Sequence, residues 1–180
     1  MLKIANKLEA LILLIGRVAA WLTLFMVLLT VVVVVLRYFF DFGRIWMQEL
    51  VTWSHAAVFL LGAAYTLSHN EHVRVDIFYR RVSSATQARI DIVGTLLLLF
   101  PVCGLLLYTG GRYAWKSWQL AERSPETGGL AFPFIPLGKT FLLVMIVLLL
   151  LQGAVIILRN IHALRTGDFP SDERPRGEVL

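Results

Sequence analysis

His55 and His69 stand fourteen residues apart in one apolar stretch, a spacing that suits the axial ligands of two stacked haems. Each haem needs an opposing imidazole from a second helix. The other long apolar runs, 18–36, 92–108 and 137–158, hold no histidine, and His162 falls beyond the last of them. The reading that follows is no cofactor, with His55 hydrogen-bonded to a neighbouring helix. Cys103 is the single cysteine, so neither an internal disulfide nor a thiolate metal cage is available, and it reads as a small hydrophobe. A proton-coupled carrier would want a carboxylate in mid-span. Glu49 lies about one turn from the end of its apolar run, where a cap or a partner contact fits better. Trp46, Glu49 and Trp53 recur at i, i+3 and i+7 and share one helix face. This aromatic–acid stripe reads as a docking edge, with packing inside the chain or against lipid as the competing reading. No phosphate-binding glycine loop, HExxH or nucleophile–base constellation is present, so no enzyme activity and no metal site are expected.

The elements that carry these residues follow from composition. Of 180 residues 58% are hydrophobic and 16% charged, against about 45–50% apolar and about 25% charged in soluble domains. This is the composition of an integral membrane protein. The net charge of +5 collects at the ends of apolar runs and makes no nucleic-acid footprint. Crossing a hydrocarbon core of about 30 Å takes about 20 helical residues. Four segments qualify: 18–36, 45–67, 92–108 (continuing as helix to about Trp118) and 137–158. Val31 to Val35 would favour strand in water, but a lone strand in lipid leaves its backbone groups unpaired. The expected fold is all-α, with a four-helix transmembrane domain over 18–160. Val18 to Leu36 runs 19 residues without a charge, longer than the roughly 7–15 residues of a signal-peptide core, so it is read as a retained span. Leu2, Ile4, Leu8, Leu11 and Ile12 give 1–17 the pattern of an amphipathic lead-in helix, and the polar segment 161–180 is read as a disordered tail. Gly62-Ala63-Ala64, Gly104 and Gly153-Ala154 would let helices approach closely.

Lys and Arg set the orientation. Lys3, Lys7, Arg17, Arg74, Arg80, Arg81, Arg89, Arg159, Arg165, Arg174 and Arg176 fall on one side; Arg37, Arg44, Arg112, Lys116, Arg123 and Lys139 fall on the other. Eleven against six puts both termini in the cytoplasm. The stretch HNEHVRVDIFYRR, 69–81, is then the cytoplasmic turn between the second and third spans. It reads either as a topology anchor alone or as a surface segment that dips Val73, Val75, Ile77 and Phe78 into the headgroup boundary, with a short interfacial helix near Asp76–Val82. Ser83-Ser84 with Gln87 resembles a capping box for the next helix. From the residues alone, this is a four-helix membrane protein without an active site of its own, serving a larger complex. A membrane-anchor subunit of a respiratory oxidoreductase and a small homodimeric exporter are the alternatives.

The run RYFF…WMQELVTWSHAAVFLLGAAYTLSHNEHVRVDIFYRR resembles the small membrane subunit of tripartite ATP-independent periplasmic (TRAP) transporters, the DctQ-like family. Arg37-Tyr38, Trp46 with Glu49-Leu50, Gly62-Ala63-Ala64-Tyr65 and above all Glu71-His72-Val73-Arg74-Val75-Asp76 carry it, with SWQLAERSPETGGLAFPFIPLGKTFLLV further on. Gln48 stands where another acid is expected. The resemblance implies a subunit in the bacterial inner membrane that binds and braces a large membrane subunit. That partner would take up an organic acid, driven by sodium, from a periplasmic solute-binding protein. It implies Arg37, Trp46, Glu49, Trp53, Arg74 and Asp76 as contacts to the large subunit. Arg112, Lys116 and Arg123 are expected contacts to the binding protein.

Overall fold

Lipid fixes the minimum length of a crossing element, and the chain meets it four times. The computed structural model describes residues 2–69, 79 and 82–167. Within them α1 spans Leu2–Phe39, α2 Ile45–Ser68, α3 Ser84–Gln119 and α4 Phe134–Thr166, each long and apolar enough to cross a membrane. α3 is α-helical over Ser84–Gly94 and Phe100–Gln119, with a π-helical turn, Thr95–Leu99, between them. No strand occurs among the described residues, and the valine run 31–35 is helical. The basic turn around Arg74 and Asp76, and most of the interfacial helix expected at Asp76–Val82, lie outside the described residues.

The helices outrun the apolar segments. The lead-in and the first span form one uninterrupted rod of 38 residues. Arg17 does not break it, and its Nε donates to the Leu13 carbonyl at 3.4 Å. α4 continues through Thr166, six residues into the segment read as a tail. It closes on Gly167, whose φ of 74° turns the chain so that its N–H reaches the Ala163 carbonyl at 2.9 Å. α3 starts at an N-cap, Ser83, whose hydroxyl accepts the Thr86 N–H. The capping box is incomplete in one respect. The Gln87 amide donates to the Tyr79 and Val82 carbonyls at 3.0 and 3.4 Å, tying the preceding chain to the helix start.

α4 is the axis of the array. It packs against α1, α2 and α3, whereas α3 has no substantial packing on α1 or α2 among the described residues. Burial follows: α4 is the most buried helix, followed by α2, α3 and α1. The centre joins Ile12 of α1, Ala64 of α2 and Leu148 of α4. Gly153 lets α3 close on α4, because a Cβ there would lie 2.8 Å from Leu99 and Phe100. Gly16, not singled out in the sequence, does the same for α1 and α2, since a Cβ there would clash with the Tyr65 ring. Gly62 and Gly104 do not share this role: a Cβ at either meets nothing within 4 Å. The open array leaves wide aliphatic faces, including Leu24, Val27, Leu28 and Val31 on α1 and Leu97, Leu98, Val102 and Leu105 on α3.

Candidate functional site

The polar residues gather at the end of the array where α2 and α4 begin. α2 starts after an extended Arg44 with no side-chain cap, leaving its first N–H groups to find partners. The 120–133 connection supplies one: the Gly128 carbonyl accepts the Trp46 N–H at 3.2 Å. One turn later, Glu49 holds the same connection with both carboxylate oxygens. Oε1 accepts the Ser124 hydroxyl at 2.5 Å, and Oε2 accepts the Leu130 N–H at 2.6 Å. Ser124 Oγ also accepts the Glu126 N–H at 3.1 Å, and the Ser124 N–H reaches the Leu130 carbonyl at 3.0 Å. The Gly- and Pro-rich loop is thereby folded over a single acid. Hydrogen bonds to an ionised group are roughly twice as strong as neutral ones.

Trp53, on the same face as Glu49, turns inward as well. Its indole N–H donates to the Phe134 carbonyl at 2.8 Å. Its ring meets Phe134 edge-on at 5.5 Å and Phe141 at 5.2 Å. Of the three stripe residues, Glu49 and Trp53 are thus engaged within the chain, while Trp46 is 43% exposed. Arg37 is exposed in the last turn of α1, where a cation suits the helix C-terminus.

A second polar group ties α3 to α4. Glu122 Oε2 accepts from the Lys139 ammonium and from the Ser117 hydroxyl, each at 2.5 Å. The Lys139 ammonium also lies 3.9 Å from the centre of the Tyr113 ring. The Lys139 hydrogen bond, and next the Ser117 hydroxyl, hold the Glu122 carboxyl below its ordinary value against the opposing effect of burial. Beside this group the Trp118 indole donates to Thr140 Oγ1 at 2.9 Å. The Glu122–Lys139 pair is not among the residues singled out from the sequence. The signal for it is faint: opposite charges bracket a Pro-rich loop that must return on itself.

Arg112 and Lys116 lie together on α3, lining an open groove of about 480 Å³ with Tyr113, Trp115 and Gln119. Arg123 is exposed on the loop outside that lining. At the other end of the array, Arg159 Nη1 donates to Glu9 Oε1 at 2.9 Å and Nη2 reaches Asn6 Oδ1 at 3.3 Å. His69 Nδ1 lies 3.0 Å from the Tyr65 carbonyl. His55 is exposed instead of being bonded to a neighbouring helix, with its ring centre 6.5 Å from that of Phe59. No group of three His, Cys, Asp or Glu comes together among the described residues. Both acid centres therefore brace loops and helix ends.

Residues 26–163 match the family described as "Tripartite ATP-independent periplasmic transporters, DctQ component". A search of curated proteins gives no match.

Proposed function

The chain belongs to the DctQ family of TRAP transporter components, and from that membership we propose that it is the small membrane subunit that binds and braces a large transmembrane subunit. In this reading the large subunit takes up an organic acid on a sodium gradient, and a periplasmic binding protein delivers the substrate. The chain sits in the inner membrane with both termini cytoplasmic, so the Glu49 and Glu122 centres lie at the periplasmic end. Arg37, Trp46, Arg74 and Asp76 contact the large subunit, and Arg112, Lys116 and Arg123 face the binding protein.

The observation that carries this reading is the form of the array. Only α4 buries much of its surface, and the apolar faces of the other helices stay open. A brace needs wide faces and stiff ends, and Glu49 and Glu122 stiffen the end where the α1–α2 and α3–α4 connections lie. The test is reconstitution. Vesicles holding the large subunit with this chain should accumulate solute when the binding protein and a sodium gradient are supplied. Vesicles lacking the chain should not. Equal uptake without it, or uptake by this chain alone, would overturn the proposal.

A further inference from the structure

We infer that the outer face of α2 is where a transmembrane helix of the large subunit docks, with the His55 imidazole as the hydrogen-bonding anchor. The inference rests on the reading that the chain works beside such a subunit. Gln48, Thr52, His55, Phe59 and Gly62 recur at i, i+4, i+7, i+11 and i+14, one stripe along the helix. The first four are exposed, Phe59 by 74%. His55 lies ten residues past Ile45, so it sits about 15 Å along the axis, near the middle of a hydrocarbon core about 30 Å thick. Among the described residues neither its ring nor the Gln48 amide has a hydrogen-bond partner within the chain.

Lipid tails offer no hydrogen bonds, so polar side chains at this depth call for protein or water beside them. The contrast with the other open faces is sharp. At mid-depth α1 shows Leu24, Val27, Leu28 and Val31, and α3 shows Leu98, Val102 and Leu105, side chains that suit hydrocarbon. α2 instead carries an exposed mid-depth imidazole with no hydrogen-bond partner among the described residues, and two turns further on Gly62, where a Cβ would meet nothing within 4 Å. Small residues beside polar ones are what a tightly packed membrane helix needs opposite it.

The stripe runs into a concave groove of about 650 Å³ between α2 and the 124–130 loop, lined by Gln48, Thr52, Ala56, Pro125 and Ile135 among others. A second copy related by a two-fold axis along the membrane normal would set groove against groove and leave both empty. A different chain, with a convex helix end, fills the groove and offers a carbonyl, hydroxyl or carboxylate to His55.

Gly62→Leu and Gly104→Leu make the matched test, because both glycines face open space in this chain. Co-purification with the large subunit should fall by about ten-fold or more for Gly62→Leu, as expected when a bulky side chain splits a helix crossing, and by less than about two-fold for Gly104→Leu. His55→Leu should also lower it. A photo-crosslinker at Phe59 should join the large subunit, and one at Leu105 should not. Wild-type recovery with Gly62→Leu, equal loss for both glycine variants, or crosslinking from Leu105 alone would overturn the α2 assignment while leaving the subunit reading intact. Failure of the wild-type chain to co-purify would overturn the subunit reading itself, and the assignment with it.

Discussion

Glu49 and Ser124 stand 75 residues apart in the chain and meet at 2.5 Å, so that one carboxylate on α2 fixes the loop between α3 and α4. Removing the acid strands two donors. Glu49→Ala leaves the Leu130 N–H and the Ser124 hydroxyl without their acceptor, which for a part-buried pair costs about 2–4 kcal/mol. Glu49→Gln keeps one oxygen for the Leu130 N–H, and its amide can donate to Ser124 Oγ. It should lose about half as much. Thermal unfolding in detergent, with limited proteolysis at 120–133, checks the order wild type, Gln, Ala.

Gly129 belongs to the same clamp. A Cβ there would lie 2.7 Å from Glu49 Oε2 and 2.7 Å from Ser124 Cβ. Gly129→Ala should therefore displace the carboxylate and destabilise by about 1–3 kcal/mol. Because part of the clash falls on the carboxylate that Glu49→Ala removes, and the rest on Ser124, the double variant should lose somewhat less than the sum of the two single losses. Strict additivity in the double-mutant cycle would assign the clash to Ser124 and not to the carboxylate.

The spans were legible because lipid admits few solutions: a long apolar run must be a helix, and the four runs became four helices. The direction in which each face points was not legible. Trp46, Glu49 and Trp53 do share a face, as their spacing requires. Nothing in that spacing says whether the face meets a partner or the chain's own loop, and for Glu49 and Trp53 it meets the loop and α4. The same limit applies to glycine. Gly153 and Gly62 look equivalent in sequence, yet one lies under Leu99 and the other faces open space. The lead-in runs into α1 without a break, because Arg17 is a residue that does not end helices. The pairing of Glu122 with Lys139 of α4 was not legible, because a carboxylate on a loop is usually solvated.

Glu122 sets a pH dependence. Its carboxyl is held below the usual value, chiefly by the Lys139 hydrogen bond and then by Ser117. A group whose folded pKa is lowered contributes stability that is fully present above the unfolded value, about 4.3 for Glu, and is lost as pH falls through the lower folded value. Wild type should thus lose stability on acidification below about pH 4–5 more steeply than Glu122→Gln, and the gap between them should be constant from there to neutrality. Unfolding midpoints measured across that range check the sign. A gap that widens towards low pH would contradict it.

Gly153 sets how closely α3 lies to its one substantial helical neighbour. Leu99 and Phe100 occupy the space a Cβ would need, so Gly153→Ala should push α3 off α4 at a cost of about 1–3 kcal/mol. With no substantial packing on α1 or α2 among the described residues to hold it, α3 should move as a unit. Spin-label distances from α3 to α4 would lengthen near Thr95–Phe100, while α1–α2 distances would stay unchanged.

The Arg159–Glu9 pair tests whether the lead-in part of α1 is held by charge or by packing. Both guanidinium nitrogens engage the carboxylate, and Arg159 also reaches Asn6. The Arg159 side chain is 45% exposed, so water screens the pair. An exposed ion pair is worth about 0–1 kcal/mol, and its two-pronged geometry places this one at the upper end. Beneath it Ala5 and Ile12 are almost wholly buried, and their packing should dominate. Arg159→Ala should then lower stability by no more than about 1 kcal/mol, and the exchange Glu9→Arg with Arg159→Glu should restore most of it. Ile12→Ala should cost about 2–4 kcal/mol. Disulfide trapping between cysteines placed at Lys3 and His162 would report whether the rod stays docked. Loss of docking with Arg159→Ala alone would assign the hold to charge.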